Sequence, residues 1–97
     1  MIDHIRQKII FLIVRTLIAK KLKICQSAVL LSSELRKDLD MDSLEMFELT
    51  IAIKELFNFN FIDEDEMVRF QNVNDIVRYI FHEQVNIVSL IWRWISS

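Results

Sequence analysis

A chain of 97 residues without one glycine or one proline has few folds open to it. Tight turns between β-strands place residues at positive φ, a region that glycine enters at no steric cost. Without glycine, a β-rich architecture has no ready source of such turns, whereas helices joined by ordinary loops need far fewer. Apolar residues make up 53% of the chain, enough for a real core and too many for global disorder. At this length one domain is expected, and the expectation is an all-α fold.

Hydrophobic periodicity divides the chain. Over residues 2–22, Ile2, Ile5, Ile9, Leu12 or Ile13, Leu17 and Leu22 recur at helical spacing. The block Ile9 to Val14 is continuously apolar and widens that stripe. It is too short for a membrane span, which needs about 20 apolar residues. Arg15 interrupts it and Lys20, Lys21 and Lys23 follow it. No basic start or small-residue cleavage site marks a secretory signal. Residues 23–41 read as a long connection, with Val29, Leu30, Leu31 and Leu35 as plugs into the core and Ser32 or Ser33 capping a short turn. A central helix is expected over 43–57, with Met46, Leu49, Thr50, Ile53, Leu56 and Phe57 on its core side. Residues 58–62 break it, and Asn58 or Asn60 is suited to left-handed backbone there. A short helix over 63–70, opened by Asp63 with Glu66, and a closing helix over 73–81, opened by Asn72 with Asp75, complete the pattern. Beyond it Val85, Val88, Ile91, Trp92 and Ile95 carry an apolar stripe to the end. The tail of residues 82–97 is expected to continue the last helix or to form a separate one, packed back on the apolar first helix or against another copy of the chain. Trp92 and Trp94 around Arg93 also have the look of an interfacial anchor for peripheral membrane contact.

Charge is segregated. Residues 1–23 carry six basic side chains and one acid, while residues 34–66 carry eleven of the fourteen acids. An acidic middle disfavours nucleic-acid binding and suits a basic protein partner. The lone Cys25 fits a reducing, cytoplasmic setting, and with no neighbouring base it reads as a partly buried small residue. His4 and His82 stand too far apart to suggest a site.

The acidic middle centres on Asp38-Leu39-Asp40-Met41-Asp42-Ser43-Leu44-Glu45. Asp42 is a good N-cap, and Glu45, three residues on, can reach back as in a capping box. Ser43 then falls in the first turn of the helix, presenting a hydroxyl at its tip. Asp38, Asp40 and Asp42 have the opening spacing of a calcium-binding EF-hand loop, but the rest of that motif fails. Its glycine position is Ser43 and its closing glutamate position is Leu49. Glu48 is one residue short, about 100° away around the helix. No metal site is expected.

On Asp38-Leu39-x-x-Asp42-Ser43-Leu44, followed by Glu48-Leu49, Ala52 and Phe57, the chain resembles the acyl carrier protein family over roughly residues 2–81. The resemblance implies a four-helix bundle, here with the extra C-terminal helical tail. It implies 4′-phosphopantetheine on Ser43, flanked by Asp42 and Leu44, with no catalytic residue in the carrier itself. The glycine that often follows the Asp-Leu pair is Asp40 here, and aspartate tolerates unusual φ better than most residues. A phosphopantetheinyl transferase would install the arm, and acyl-transferring or ketosynthase-type enzymes with basic docking surfaces would be partners in fatty acid, polyketide or related biosynthesis. Glu45, Glu48 and Glu55 would meet the partner's basic rim, with Phe47 and Ile51 beside Leu44 as apolar contacts. Phe47 and Ile51 fit equally well on a second buried face. The rival reading is a non-catalytic helical adaptor that binds partners through the acidic helix and the apolar tail.

Overall fold

The computed structural model describes residues 2–57, 69–82 and 95–96. Three main helices run in order: α1, Ile2–Leu22; α2, Ser43–Leu56; and α3, Val73–His82. A 3₁₀ turn, Gln26–Ala28, lies in the connection between α1 and α2. Among the described residues there is no strand, only an isolated antiparallel bridge between Glu34 and Asn72. The fold is all-α as expected, and the three helix spans match their expected ranges to within a residue. The expected short helix at 63–70, the break at 58–62 and the tail beyond His82 lie almost wholly outside the described residues.

α1 is the wall on which the other helices close, packing most heavily against α3 and next against α2. Its core row is Ile10, Ile13, Val14, Ile18 and Ala19, all buried. This corrects the stripe read from spacing, because Ile5 and Leu12 face outward. The reason lies in the unbroken apolar block from Ile9 to Val14, which offers two helical stripes and leaves the choice to tertiary packing. α2 contributes Met46, Leu49, Ile53 and the capping residue Phe57, as its spacing indicated. α3 contributes Val73, Ile76, Val77 and Ile80, with Phe70 set edge-on to Tyr79 just before and within it. Asn72 and Asp75 do cap α3: the Asp75 N–H donates to Asn72 Oδ1 at 2.9 Å and the Asn72 N–H to Asp75 Oδ2 at 3.2 Å.

The long connection is plugged by Val29, Leu35 and Met41, while Leu30 and Leu31 are exposed, contrary to expectation. Leu30 and Leu31 sit in a turn instead. The Leu30 N–H donates to Ser33 Oγ at 3.0 Å, which makes Ser33 the capping serine. Exposed Cys25 also departs from its expected partial burial, because it precedes the 3₁₀ turn at the surface. The loop is tied to the start of α3 by backbone bonds. The Leu35 N–H donates to the Gln71 carbonyl at 2.8 Å, and the N–H groups of Val73 and Asn74 donate to the carbonyls of Ser33 and Leu31, each at 3.0 Å.

Among the described residues, left-handed backbone occurs at Lys23 (φ 58°) and Asp40 (φ 54°). Lys23 ends α1, where the following Ile24 N–H folds back to the Ala19 carbonyl at 3.0 Å, the six-to-one bond of a helix C-cap. Asp40 stands where the resembled family often has glycine, and it adopts the conformation a glycine would take.

Two outcomes follow. Ile53→Ala should lower the urea-unfolding free energy by about 2–5 kcal/mol, whereas Ile51→Ala on the outer side should cost well under half of that; equal losses would refute the assignment of faces. Asp40→Gly should keep stability within about 1 kcal/mol of the parent, while the β-branched Asp40→Ile should lose about 1–2 kcal/mol through its clash at positive φ.

Candidate functional site at the start of the central helix

The approach to α2 is fixed before the helix begins. Asp38 folds its carboxylate back so that the Glu34 N–H donates to Oδ2 at 2.8 Å. The N–H groups of Asp38 and Leu39 both donate to the Glu34 carbonyl, at 2.9 and 3.1 Å. Leu39 packs on the core, Asp40 takes the left-handed step, and Met41 drops its side chain into the core while its N–H donates to the Leu35 carbonyl at 3.0 Å. Leu39 and Met41 thus anchor both sides of the bend at Asp40.

The helix then starts at a reciprocal cap. The Glu45 N–H donates to Asp42 Oδ1 at 2.7 Å, and the Asp42 N–H donates to Glu45 Oε1 at 3.0 Å. This is the capping box expected from the spacing. It leaves Ser43 as the first helical residue, exposed, with its hydroxyl hydrogen-bonded to no described residue. The N–H groups of Ser43 and Leu44 precede the first intrahelical bond, from the Met46 N–H to the Asp42 carbonyl at 3.0 Å. They point out of the positive end of the helix, where a phosphate is favoured. The residues present therefore suit a phosphodiester on Ser43. Among the described residues no side chain is hydrogen-bonded to the Ser43 hydroxyl.

The expected docking residues separate into three kinds. Leu44 is 65% exposed, Phe47 48% and Ile51 39%, and they line one strip of α2 that continues from the serine. Phe47 and Ile51 are therefore not a second buried face. Glu48 is exposed but pairs with Lys21 of α1 at 3.1 Å. Glu45 is half-buried with one carboxylate oxygen engaged in the cap, and Glu55 is exposed farther along the helix.

Three contributors were missed by sequence reasoning. Asp38 works as a clamp on the loop, through a four-residue side-chain-to-backbone turn that no helix signature announces. Lys21 meets Glu48 across 27 positions of sequence, a pairing no local pattern contains. An open cleft of about 370 Å³ beside that pair, lined by Leu17, Lys20, Leu49 and Ala52, belongs to the α1–α2 seam and was equally unreadable.

Comparison with known proteins agrees with this geometry. The family model for a phosphopantetheine attachment site matches residues 13–80. The chain is 38% identical over 71 residues to an acyl carrier protein of Phytoplasma mali, covering 73% of this chain and 83% of that protein. It is 37% identical over 67 residues to the acyl carrier protein of Helicobacter pylori, covering 69% and 85%. It is 37% identical over 71 residues to that of Treponema pallidum, covering 73% and 90%. With the match running from the middle of α1 to the end of α3 and across the exposed serine, the chain belongs to the acyl carrier protein family, with covalently attached 4′-phosphopantetheine as its cofactor.

Proposed function

We propose that Ser43 is the residue that carries 4′-phosphopantetheine, and that the chain serves acyl transfer in the cytoplasm, in fatty acid or related biosynthesis. The observation that carries this reading is the exposed Ser43 hydroxyl at the first position of α2, held there by the Asp42–Glu45 capping box. Asp42 acts through position: it fixes the helix start and so fixes where the hydroxyl points. In the modification, Ser43 Oγ attacks the β-phosphorus of coenzyme A. The new Oγ–P bond forms as the P–O bond of the pyrophosphate breaks, adenosine 3′,5′-bisphosphate leaves, and the serine proton passes to a base of the transferase. The two histidines, His4 and His82, are both remote from Ser43 in the sequence, in keeping with that division of labour. Once bound, the arm supplies a thiol on which an acyl group is held as a thioester.

Partner enzymes are proposed to dock on α2 through Leu44, Phe47 and Ile51, with Glu45, Glu48 and Glu55 at the rim. Glu48 already has Lys21 as its cation. A half-exposed pair of this kind is worth at most about 1 kcal/mol, so a basic group on a partner can replace the lysine at small cost. Apolar contact at the centre with charge at the edge is the usual anatomy of such interfaces.

Intact-mass spectrometry after incubation with coenzyme A and a phosphopantetheinyl transferase should show a gain of about 340 Da, the covalent addition of the phosphopantetheine group. Ser43→Ala should abolish the gain while leaving the helical circular dichroism unchanged; modification of that variant would sink the assignment. Phe47→Ser should leave stability within about 0.5 kcal/mol, yet raise the KM of an acyl-transferring partner about fivefold or more. An unchanged KM would remove Phe47 from the docking surface.

A further inference from the structure

α1 carries a second, outward stripe that the core uses only in part, through Ile9. Ile5, Ile9, Leu12 and Thr16 follow one another at helical spacing, rotated by about 140° from the buried row at 100° per residue. Ile5 is 56% and Leu12 49% exposed, and Ile9 and Thr16 are half-buried. Toward the C-terminal end of the helix the same side is covered. There the loop returns across it, Ala19 is buried, and Arg15 Nε donates to the Val29 carbonyl at 3.0 Å. The N-terminal half has no such cover among the described residues.

The charges that α1 itself places beside this stripe have one sign, although Lys20 also lines the α1–α2 cleft that Glu48 borders. Lys8 lies along one edge and Lys20 along the other, while Lys23 stands in line with the stripe beyond the helix end. All three are exposed, and none pairs with a described residue. Asp3 is the only acid in the first 23 residues. The helix's arginines are used internally: the Arg6 guanidinium lies 5.0 Å over the Phe81 ring and that of Arg15 4.5 Å over Phe11.

We propose that this face of α1 rests on the surface of an anionic phospholipid bilayer. Exposed aliphatic side chains with lysines on both flanks are the pattern of a helix lying in a membrane interface. Charge complementarity selects anionic headgroups, which attract each nearby lysine. The face offers lysine point charges on flexible stems rather than arginine forks, so it selects no defined carboxylate geometry of the kind an acidic protein would present. The contact is superficial, since no helix among the described residues is long and apolar enough to cross a membrane. The inference stands apart from the assignment of Ser43, which lies on a different helix.

Sedimentation of the full-length chain with vesicles tests it. The chain should pellet with vesicles of equal parts phosphatidylcholine and phosphatidylglycerol but not with phosphatidylcholine alone. It should be released as salt shortens the screening length from about 10 Å at 0.1 M to about 3 Å at 1 M. Lys8→Glu with Lys20→Glu should weaken binding about tenfold or more. Leu12→Ser should weaken it too, and Ser43→Ala should not, all with unchanged circular dichroism. In the unsubstituted chain, hydrogen exchange should slow over residues 4–16 when the mixed vesicles are added. Absent binding, equal binding to neutral vesicles, or binding indifferent to the α1 substitutions would each overturn the proposal. So would self-association that Leu12→Ser abolishes without any vesicle binding, which would assign the face to a second copy of the chain.

Discussion

Burial of one side of α1 is the interaction on which the rest of this structure depends. Ile10, Ile13, Val14 and Ile18 have no other place in the fold, and both α2 and α3 close on them. Because the driving force scales with apolar area removed from water, the helices orient to cover that row first. α2 meets it with Met46, Leu49 and Ile53, and this choice decides what α2 shows to solvent. Leu44, Phe47 and Ile51 are then left outside by helical geometry, not by any preference of their own for water. An exposed apolar strip next to an exposed serine is thus the unavoidable other side of a well-packed core face.

The loop between α1 and α2 converts that packing into a fixed position for Ser43. Val29, Leu35 and Met41 sink into the core at intervals, so the loop cannot drift far from the bundle. Backbone bonds to Gln71, Val73 and Asn74 hold its middle to the start of α3. What remains is the bend at Asp40, held in left-handed backbone by Leu39 and Met41 on either side. A chain without glycine must use other residues for such bends, and aspartate and lysine do so here at a modest steric cost. That cost is carried by the anchoring residues, which is why the bend persists without the residue best suited to it.

Much of this was legible in the sequence, and the part that was not has a common cause. Local signals survived: the capping box of Asp42 and Glu45, the mutual cap of Asn72 and Asp75, and the core sides of α2 and α3 all follow from spacing within about a turn of helix. α1 did not yield, because its apolar residues surround the helix between Ile9 and Val14 and two stripes compete. Only contact with α3 and α2 decides between them. Leu30 and Leu31 failed for a similar reason: hydrophobicity marked them for burial, but the turn closed by Ser33 turns them outward. The partnership of Lys21 with Glu48 joins two elements whose relative placement no single segment encodes. At the helix start, the place of Ser43 in the first turn followed from the capping motif, while the clamp that Asp38 provides did not.

The same geometry narrows how the acidic side of α2 can act. Counting carboxylates suggests a docking surface with three equivalent charges, at Glu45, Glu48 and Glu55. The structure makes them unequal. One oxygen of Glu45 accepts from the Asp42 N–H, so drawing that side chain wholly toward a partner would release the cap and loosen the very turn that presents Ser43. Glu48 can exchange Lys21 for an incoming cation without touching the cap. On the proposed docking surface, Glu45 would serve both the partner and the cap, and Glu48 only the partner. A partner docking as proposed, and leaving the helix start intact, would take its orientation from Glu48 and the apolar strip and would meet a serine already held in place.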